Sequence, residues 1–246
     1  MKARKDSSLL EYDWRLDGEY AGFTVDLSLY DRAPDPGYPI LAYVGCGPLE
    51  DDADLSAGDI RRINAFEAKC RRKLDALLAG TIETAKLRQY YFYLPSRAVY
   101  DELKRLSEKK PGFTCKVGGK KEEDWASYFR ILYPDDAKFQ TVRNAEILEQ
   151  HYDRGDSEVP RRLNLHMGFM NDPSRKAFID AARQEGFAVG EYEDFDSDEL
   201  PYGVVLHRIC AFRKFDIDAV TIQAIRIAEK SEGKLLFWDC PIVPGR

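Results

Sequence analysis

Only three histidines and five cysteines occur among the 246 residues. The cysteines, Cys46, Cys70, Cys115, Cys210 and Cys240, are odd in number, scattered and never spaced CxxC. That pattern fits core thiols in a reducing cytosol rather than a disulfide framework. No segment approaches the ~20 apolar residues that a membrane helix requires, and nothing near the N-terminus resembles a signal peptide, so a cytoplasmic protein without membrane contact is expected. There is no internal repeat and no low-complexity tract. No Ser-His-Asp, Cys-His or paired-carboxylate arrangement can be assembled from neighbouring residues. Triads converge from distant positions, however, so this alone does not exclude an enzyme.

Basic excess is missing too. The net charge is −6, and it is unevenly placed: residues 145–246 hold 19 acidic against 13 basic side chains, while the remainder balances at 24 each. Nucleic-acid affinity rests on Lys and Arg neutralising phosphates, so the acidic part suits a basic protein segment better than direct nucleic-acid binding. Two basic stretches do occur. Arg71-Arg72-Lys73 reads as the wet face of an amphipathic helix. Lys116 to Lys121 lacks the GxxxxGK[ST] order of a phosphate loop. No cofactor motif is visible.

What is present is periodic. Leu163, Leu165, Met167 and Phe169 alternate, as in a half-buried strand. Asn171-Asp172-Pro173 then supplies a helix start. Phe178, Ala181 and Ala182 share a face, and Gly186 stops the helix. A second helix is expected from Asp216 or Asp218, with Ile217, Val220, Thr221, Ala224, Ile227 and Ala228 as its stripe and Gly233 as its end. The order strand, helix, strand, strand, helix, strand predicts a ferredoxin-like βαββαβ sandwich.

Upstream, strands are expected near Trp14, over Phe23 to Leu29 and over Tyr38 to Cys46, with turns at Asp17-Gly18 and Pro111-Gly112 and a frayed start over 1–10. The spacing predicts a helix from Asp59 to Leu78 and one long strand from Thr81 to Leu94, in which Tyr90 to Tyr93 are expected to alternate between core and surface. A helix opened by Pro95-Ser96 and a strand over Phe113 to Val117 follow. The periodicity of Trp125, Tyr128, Phe129 and Leu132 suits a helix. A connecting helix is expected over 137–153, and the run from Gly155 to Pro160 reads as a linker. The chain is therefore expected to be α+β with two domains: 1–155, built on an antiparallel sheet, and 156–246, the sandwich.

Two stretches carry resemblances. Phe178, Gly186-Phe187, Ile217-Asp218, Ala228 and Trp238 resemble the bacterial RraB family, regulators of ribonuclease E. There, Leu235-Leu236-Phe237 precede the tryptophan where family regulators carry Tyr-Asp-Gly. Trp125, Tyr128, Leu132, Tyr133, Pro134, Asn144, Gly155 and Asp156 look like the closing part of the bacterial family called domain of unknown function 695, whose members are often fused to an RraB-like domain. The first resemblance implies a non-catalytic regulator that binds ribonuclease E and damps RNA cleavage. The alternatives are an enzyme with its site between the domains, or an RNA-binding module that stacks bases on Tyr90 to Tyr93.

The candidate binding residues follow. Glu193, Asp194, Asp196, Asp198 and Glu199 form an acidic stretch, read as a docking surface for a basic segment. Asp194, Asp196 and Asp198 have the one-three-five spacing of a calcium loop, but Glu199 stands where glycine is required and Val205 where a bidentate Glu is expected. His166 lies on the opposite parity from Leu165 and Met167, so it points off the core face, where His207 is expected beside it. Cys210 faces the other side of that strand, so no complete zinc set results. His151 has no evident partner. Trp238 completes the candidate surface through the resemblance.

Overall fold

The structure is a computed structural model describing residues 9–16, 18–109 and 112–245. The turns expected at Asp17 and Pro111, and residues 1–8 of the expected frayed start, lie outside the described residues. The chain divides into two compact units, Met1–Pro134 and Asp135–Arg246. It is α+β throughout, with two antiparallel sheets.

The first unit is built on strands β1 (Leu9–Leu16), β2 (Glu19–Asp26), β3 (Ile40–Gly47), β4 (Leu77–Glu83), β5 (Arg88–Leu94) and β6 (Thr114–Lys121), in the sheet order β1-β2-β4-β5-β3-β6. Leu9 and Leu10, expected to fray, open β1. The expected strand over Phe23 to Leu29 ends at Asp26, whose carboxylate accepts from Ser28 N and caps a 3-10 turn over Leu27–Leu29. Helix α1 (Ala57–Lys73) starts in a capping box between Ser56 and Asp59, which satisfies free amides of its first turn. It ends five residues sooner than its apolar spacing predicts, because Leu74 is already extended and Leu77 begins β4. Arg71, Arg72 and Lys73 occupy its last turn, where positive charge complements the helix dipole.

The long strand expected over Thr81 to Leu94 is two strands. Thr84 N donates to Leu87 O at 2.8 Å and Leu87 N to Thr84 Oγ1 at 3.1 Å, closing a turn with a side chain, as Ser and Thr do. Tyr90 to Tyr93 do not alternate between core and surface; all four are buried. Tyr90 and Phe92 pack with Ile63, Phe66 and Cys70 of α1. On the other face Tyr93 stacks on Trp125, with ring centroids 3.8 Å apart. Buried rings offer no platform for bases. Helix α2 (Arg97–Ser107) is capped by Ser96 as expected. The turn over Tyr128–Leu132 is π-helical, with Tyr133 N donating to Tyr128 O at 2.7 Å.

The second unit runs α3 (Asp136–Asp153), β7 (Arg161–Phe169), α4 (Asp172–Gln184), β8 (Ala188–Asp194), β9 (Tyr202–Cys210), α5 (Lys214–Glu229) and β10 (Gly233–Asp239). From β7 onward this is the expected βαββαβ arrangement, in the sheet order β10-β7-β9-β8. Asn171 caps α4 by accepting from Ser174 N, and Gly186 sits at φ 82° beyond its end, a conformation in which a Cβ is strained. Leu163, Leu165, Met167 and Phe169 are buried on the helix-covered face, where Phe178 lies 4.9 Å from Phe169 between ring centroids.

Helix α3, expected to close the first domain at residue 155, lies within the second unit. Its buried Gln140, Asn144 and Leu148 give it a partly polar inner face, and Asn144 hydrogen-bonds Asp218 and Thr221 of α5. Residues 155–160, expected to be a linker, are hydrogen-bonded into this unit as well. Ser157 N donates to Val243 O, Gly245 N to Gly155 O and Phe212 N to Glu158 O.

Candidate functional site

One face of the second sheet carries the helices, and the strand period of two sends alternate side chains to the other. On β7 these are Asn164, His166 and Gly168; on β9 they are Gly203, Val205, His207 and Ile209. His166 is therefore on the expected face. Each of its ring nitrogens meets a carboxylate: Nδ1 lies 2.7 Å from Glu193 Oε2 of β8, and Nε2 lies 2.7 Å from Asp239 Oδ2 of β10. Phe237 stacks on the ring, 4.0 Å between centroids and 13° from parallel, and is itself 48% exposed.

His207 shares this face but does not contact His166 directly. Its Nδ1 lies 3.0 Å from Asn164 Oδ1, and Asn164 Nδ2 donates to Asp239 Oδ1 at 2.7 Å, so the histidines are linked through Asn164 and Asp239. Burial and the Arg162 charge hold the His207 imidazole below its ordinary value, outweighing the opposite pull of Asp239 and Glu191. Gly190 of β8 makes room for that ring: a Cβ there would stand 2.3 Å from Nε2.

The acidic stretch divides between strand and loop. Glu193 faces His166. Asp194 ends β8 and lies 3.5 Å from Arg175 Nη1. Asp196, Asp198 and Glu199 are exposed in the loop that follows. The same loop bends back over the sheet, setting Phe195 against Gly203 and Leu200 against Gly168. Ile209, 73% exposed, extends the face toward the end of β9. The result is an aromatic and aliphatic surface bordered by carboxylates.

Trp238 is not part of it. It is 4% exposed and lies on the helix-covered face, where Nε1 donates to Asn144 Oδ1 at 2.7 Å. A β-bulge between Leu235 and Phe237 inserts one residue, so Leu235 and Trp238 both point inward while Phe237 points out. Sequence reasoning missed Phe237 and Asp239 for that reason.

It also left His151 unpartnered, whereas His151 Nδ1 lies 2.7 Å from Asp156 Oδ2. The Asp156 side chain is fully buried and takes a second contact from Arg161 Nη1 at 2.6 Å. Burial pushes the Asp156 carboxyl up, but the bonds from Arg161, His151 and the Val243 and Ser157 amides outweigh it and hold the group well below its ordinary value. The cluster fastens the start of β7 to the chain's last residues; it is structural.

Among the described residues, no group of three or more His, Cys, Asp and Glu side chains is placed to hold a metal ion, and no helix is long and apolar enough to cross a membrane.

Comparison with known proteins agrees with this division. Residues 11–133 match the family model described as "Family of unknown function (DUF695)", and residues 142–240 match "Regulator of ribonuclease activity B". No curated protein matches the chain. A crystal structure of an unknown protein from Galdieria sulphuraria is similar at 12% identity over 83% of this chain and 98% of that one, with a TM-score of 0.23, too low to bear on the fold. The chain belongs to the DUF695 family, and its DUF695 domain is followed by a domain of the regulator of ribonuclease activity B family.

Proposed function

We propose that the chain is a non-catalytic, cytoplasmic, protein-binding regulator that damps RNA cleavage of the ribonuclease E type, and that the open face of its second sheet receives a basic segment of the ribonuclease. The observation that carries this reading is Phe237, half exposed and stacked on His166 between Glu193 and Asp239. An aromatic face beside two carboxylates suits an Arg or Lys side chain, whose stem packs on the ring while its charged head reaches the oxygens. Each carboxylate accepts more than one hydrogen bond, so Glu193 and Asp239 can hold His166 and an incoming cation together. The acidic surplus of residues 145–246 favours the same partner.

The test is RNA cleavage by purified ribonuclease E from the source organism, with and without the full chain. Slower cleavage is expected, with the slowing largely lost on Phe237→Ala, a substitution on an exposed ring that leaves the helix-covered core intact. Cleavage that proceeds at the same rate with a saturating excess of the chain would reject the regulator reading.

A further inference from the structure

The first unit contains a thiol pair that the regulator reading does not use. Cys46 of β3 and Cys115 of β6 are register partners, and their sulfurs lie 3.9 Å apart, with the Cys46 thiol donating to Cys115. Residues directly opposed on antiparallel strands have Cα atoms about 4.5 or 5.5 Å apart, within the roughly 4.4–6.8 Å that a disulfide spans. The sulfurs must close to about 2.05 Å, a movement that side-chain rotation supplies without a shift in strand register. The two cysteines differ in access. Cys46 is fully buried beneath α1 in the cluster that contains Cys70, whereas Cys115 is partly exposed on the sheet's edge strand.

We propose that Cys115 and Cys46 form a peroxide-responsive pair, in which Cys115 is oxidised by a hydroperoxide and Cys46 resolves the product into a reversible intramolecular disulfide. In the first step the Cys115 thiolate attacks a peroxide oxygen. An S–O bond forms, the O–O bond breaks, and the leaving hydroxide takes a proton and departs as water, leaving a sulfenic acid on Cys115. In the second step the Cys46 sulfur attacks the Cys115 sulfur. The S–S bond forms, the S–O bond breaks, and the released hydroxide leaves as water with the Cys46 proton. The two thiols give up two electrons, and one hydrogen peroxide becomes two waters. A small dithiol reverses the bond by exchange.

The surroundings support these separate roles. The hydrogen bond from Cys46, opposed by burial, holds the Cys115 thiol below its ordinary value. That same hydrogen bond and burial push the Cys46 thiol up, so it keeps its proton until it attacks. The thiolate is the reacting form, and both access and the direction of the shift favour it at Cys115 over Cys46. Cys70 is buried, and burial pushes its thiol up to about 12, so it takes no part. The inference is independent of the regulator reading, since it concerns the other unit.

The experiment treats the full-length protein with hydrogen peroxide, counts thiols after denaturation, and maps unreduced peptides by mass. The expected result is a loss of two thiols from the five free ones, one cross-linked peptide pair containing Cys46 and Cys115, and full recovery with dithiothreitol. Cys70→Ser should give the same bridge. Cys115→Ser should keep its remaining thiols at the same peroxide dose. Cys46→Ser, whose hydroxyl can still donate to Cys115 but cannot form a disulfide, should leave a sulfenic acid on Cys115 that dimedone traps. A bridge that includes Cys70, a Cys115 that passes to sulfinic acid without bridging in the wild type, or five thiols surviving a peroxide excess would each overturn the proposal; the wild-type and Cys70→Ser maps decide it even if the Cys46 variant does not fold.

Discussion

The Trp238 indole donates to Asn144 Oδ1 at 2.7 Å across 94 positions of sequence, and the amide it meets is saturated. Asn144 Oδ1 also accepts from Gln140 at 2.8 Å, while Nδ2 donates to Asp218 Oδ1 at 2.8 Å and to Thr221 Oγ1 at 2.9 Å. Two donors and two acceptor sites are all that an Asn side chain has. One fully buried amide thus joins α3, α5 and β10.

Removing it should be expensive, because an unsatisfied buried polar group costs about 1–3 kcal/mol and several would be left together. We expect Asn144→Ala to lower the stability of the chain by about 3 kcal/mol in urea unfolding. Trp238→Phe keeps a ring and drops one donor, at about 1 kcal/mol. Combined, the two should cost less than their sum, since each removes the same bond. Strict additivity would show that the bond is not energetically coupled.

The frame of the second unit was legible because its signals are local. Alternation along Leu163 to Phe169 fixed which side of β7 is core, and the same parity put His166 and His207 on the open face. Asn171 and Gly186 marked the ends of α4 through chemistry that acts within a few residues. Phe237 and Asp239 were hidden by a single inserted residue: counted by twos from Leu235, Phe237 would face the core and Trp238 the solvent, and the bulge reverses both. Tyr90 to Tyr93 misled in another way. Alternation assumes one covered face, and nothing within β5 announces that Trp125, more than thirty residues later, covers the second. Asn144 and Asp156 were recognised only as parts of a resemblance, because their partners are set by tertiary structure and Asp156 stands in a stretch whose composition reads as loop.

Asp156 should be a second point of high sensitivity. Its buried carboxylate holds Arg161 and His151, and breaking a buried ion pair by removing one partner costs about 3–5 kcal/mol. Asp156→Ala is expected near the lower end, because Arg161 keeps bonds to the Val159, Ser157 and Pro241 carbonyls. A urea midpoint equal to that of the wild type would show that these carbonyls alone suffice.

His207 should give the unit a pH dependence of definite sign. Its folded pKa lies below the ordinary 6.5, so the unfolded chain binds its proton more readily. The stabilisation is complete above the unfolded pKa and is lost as pH falls through the folded one. Asp239, Glu191, Arg162 and His166 are the charged or titratable groups that act on it. His207→Gln, which cannot be protonated, should therefore lose less stability than the wild type on acidification from about pH 7 to about pH 5. Parallel unfolding curves for the two proteins across that range would remove His207 from the pH response.

The central claim is that the acidic open face of the second sheet docks a basic segment of the ribonuclease. Its most direct measurement is the association rate of the full chain with ribonuclease E from the source organism, followed against salt for the wild type and for Asp196→Asn/Asp198→Asn. Both positions are exposed in the loop, whereas Asp194, also exposed, ends β8 beside Arg175, so the double substitution should leave the fold unaffected. Opposite charge accelerates encounter more than it deepens the complex, and it acts over a Debye length of about 8 Å at physiological salt. The wild type should associate about tenfold more slowly as salt is raised, and the double variant should start slower and respond less. An association rate indifferent to both salt and the double substitution, or no complex at all, would contradict the claim.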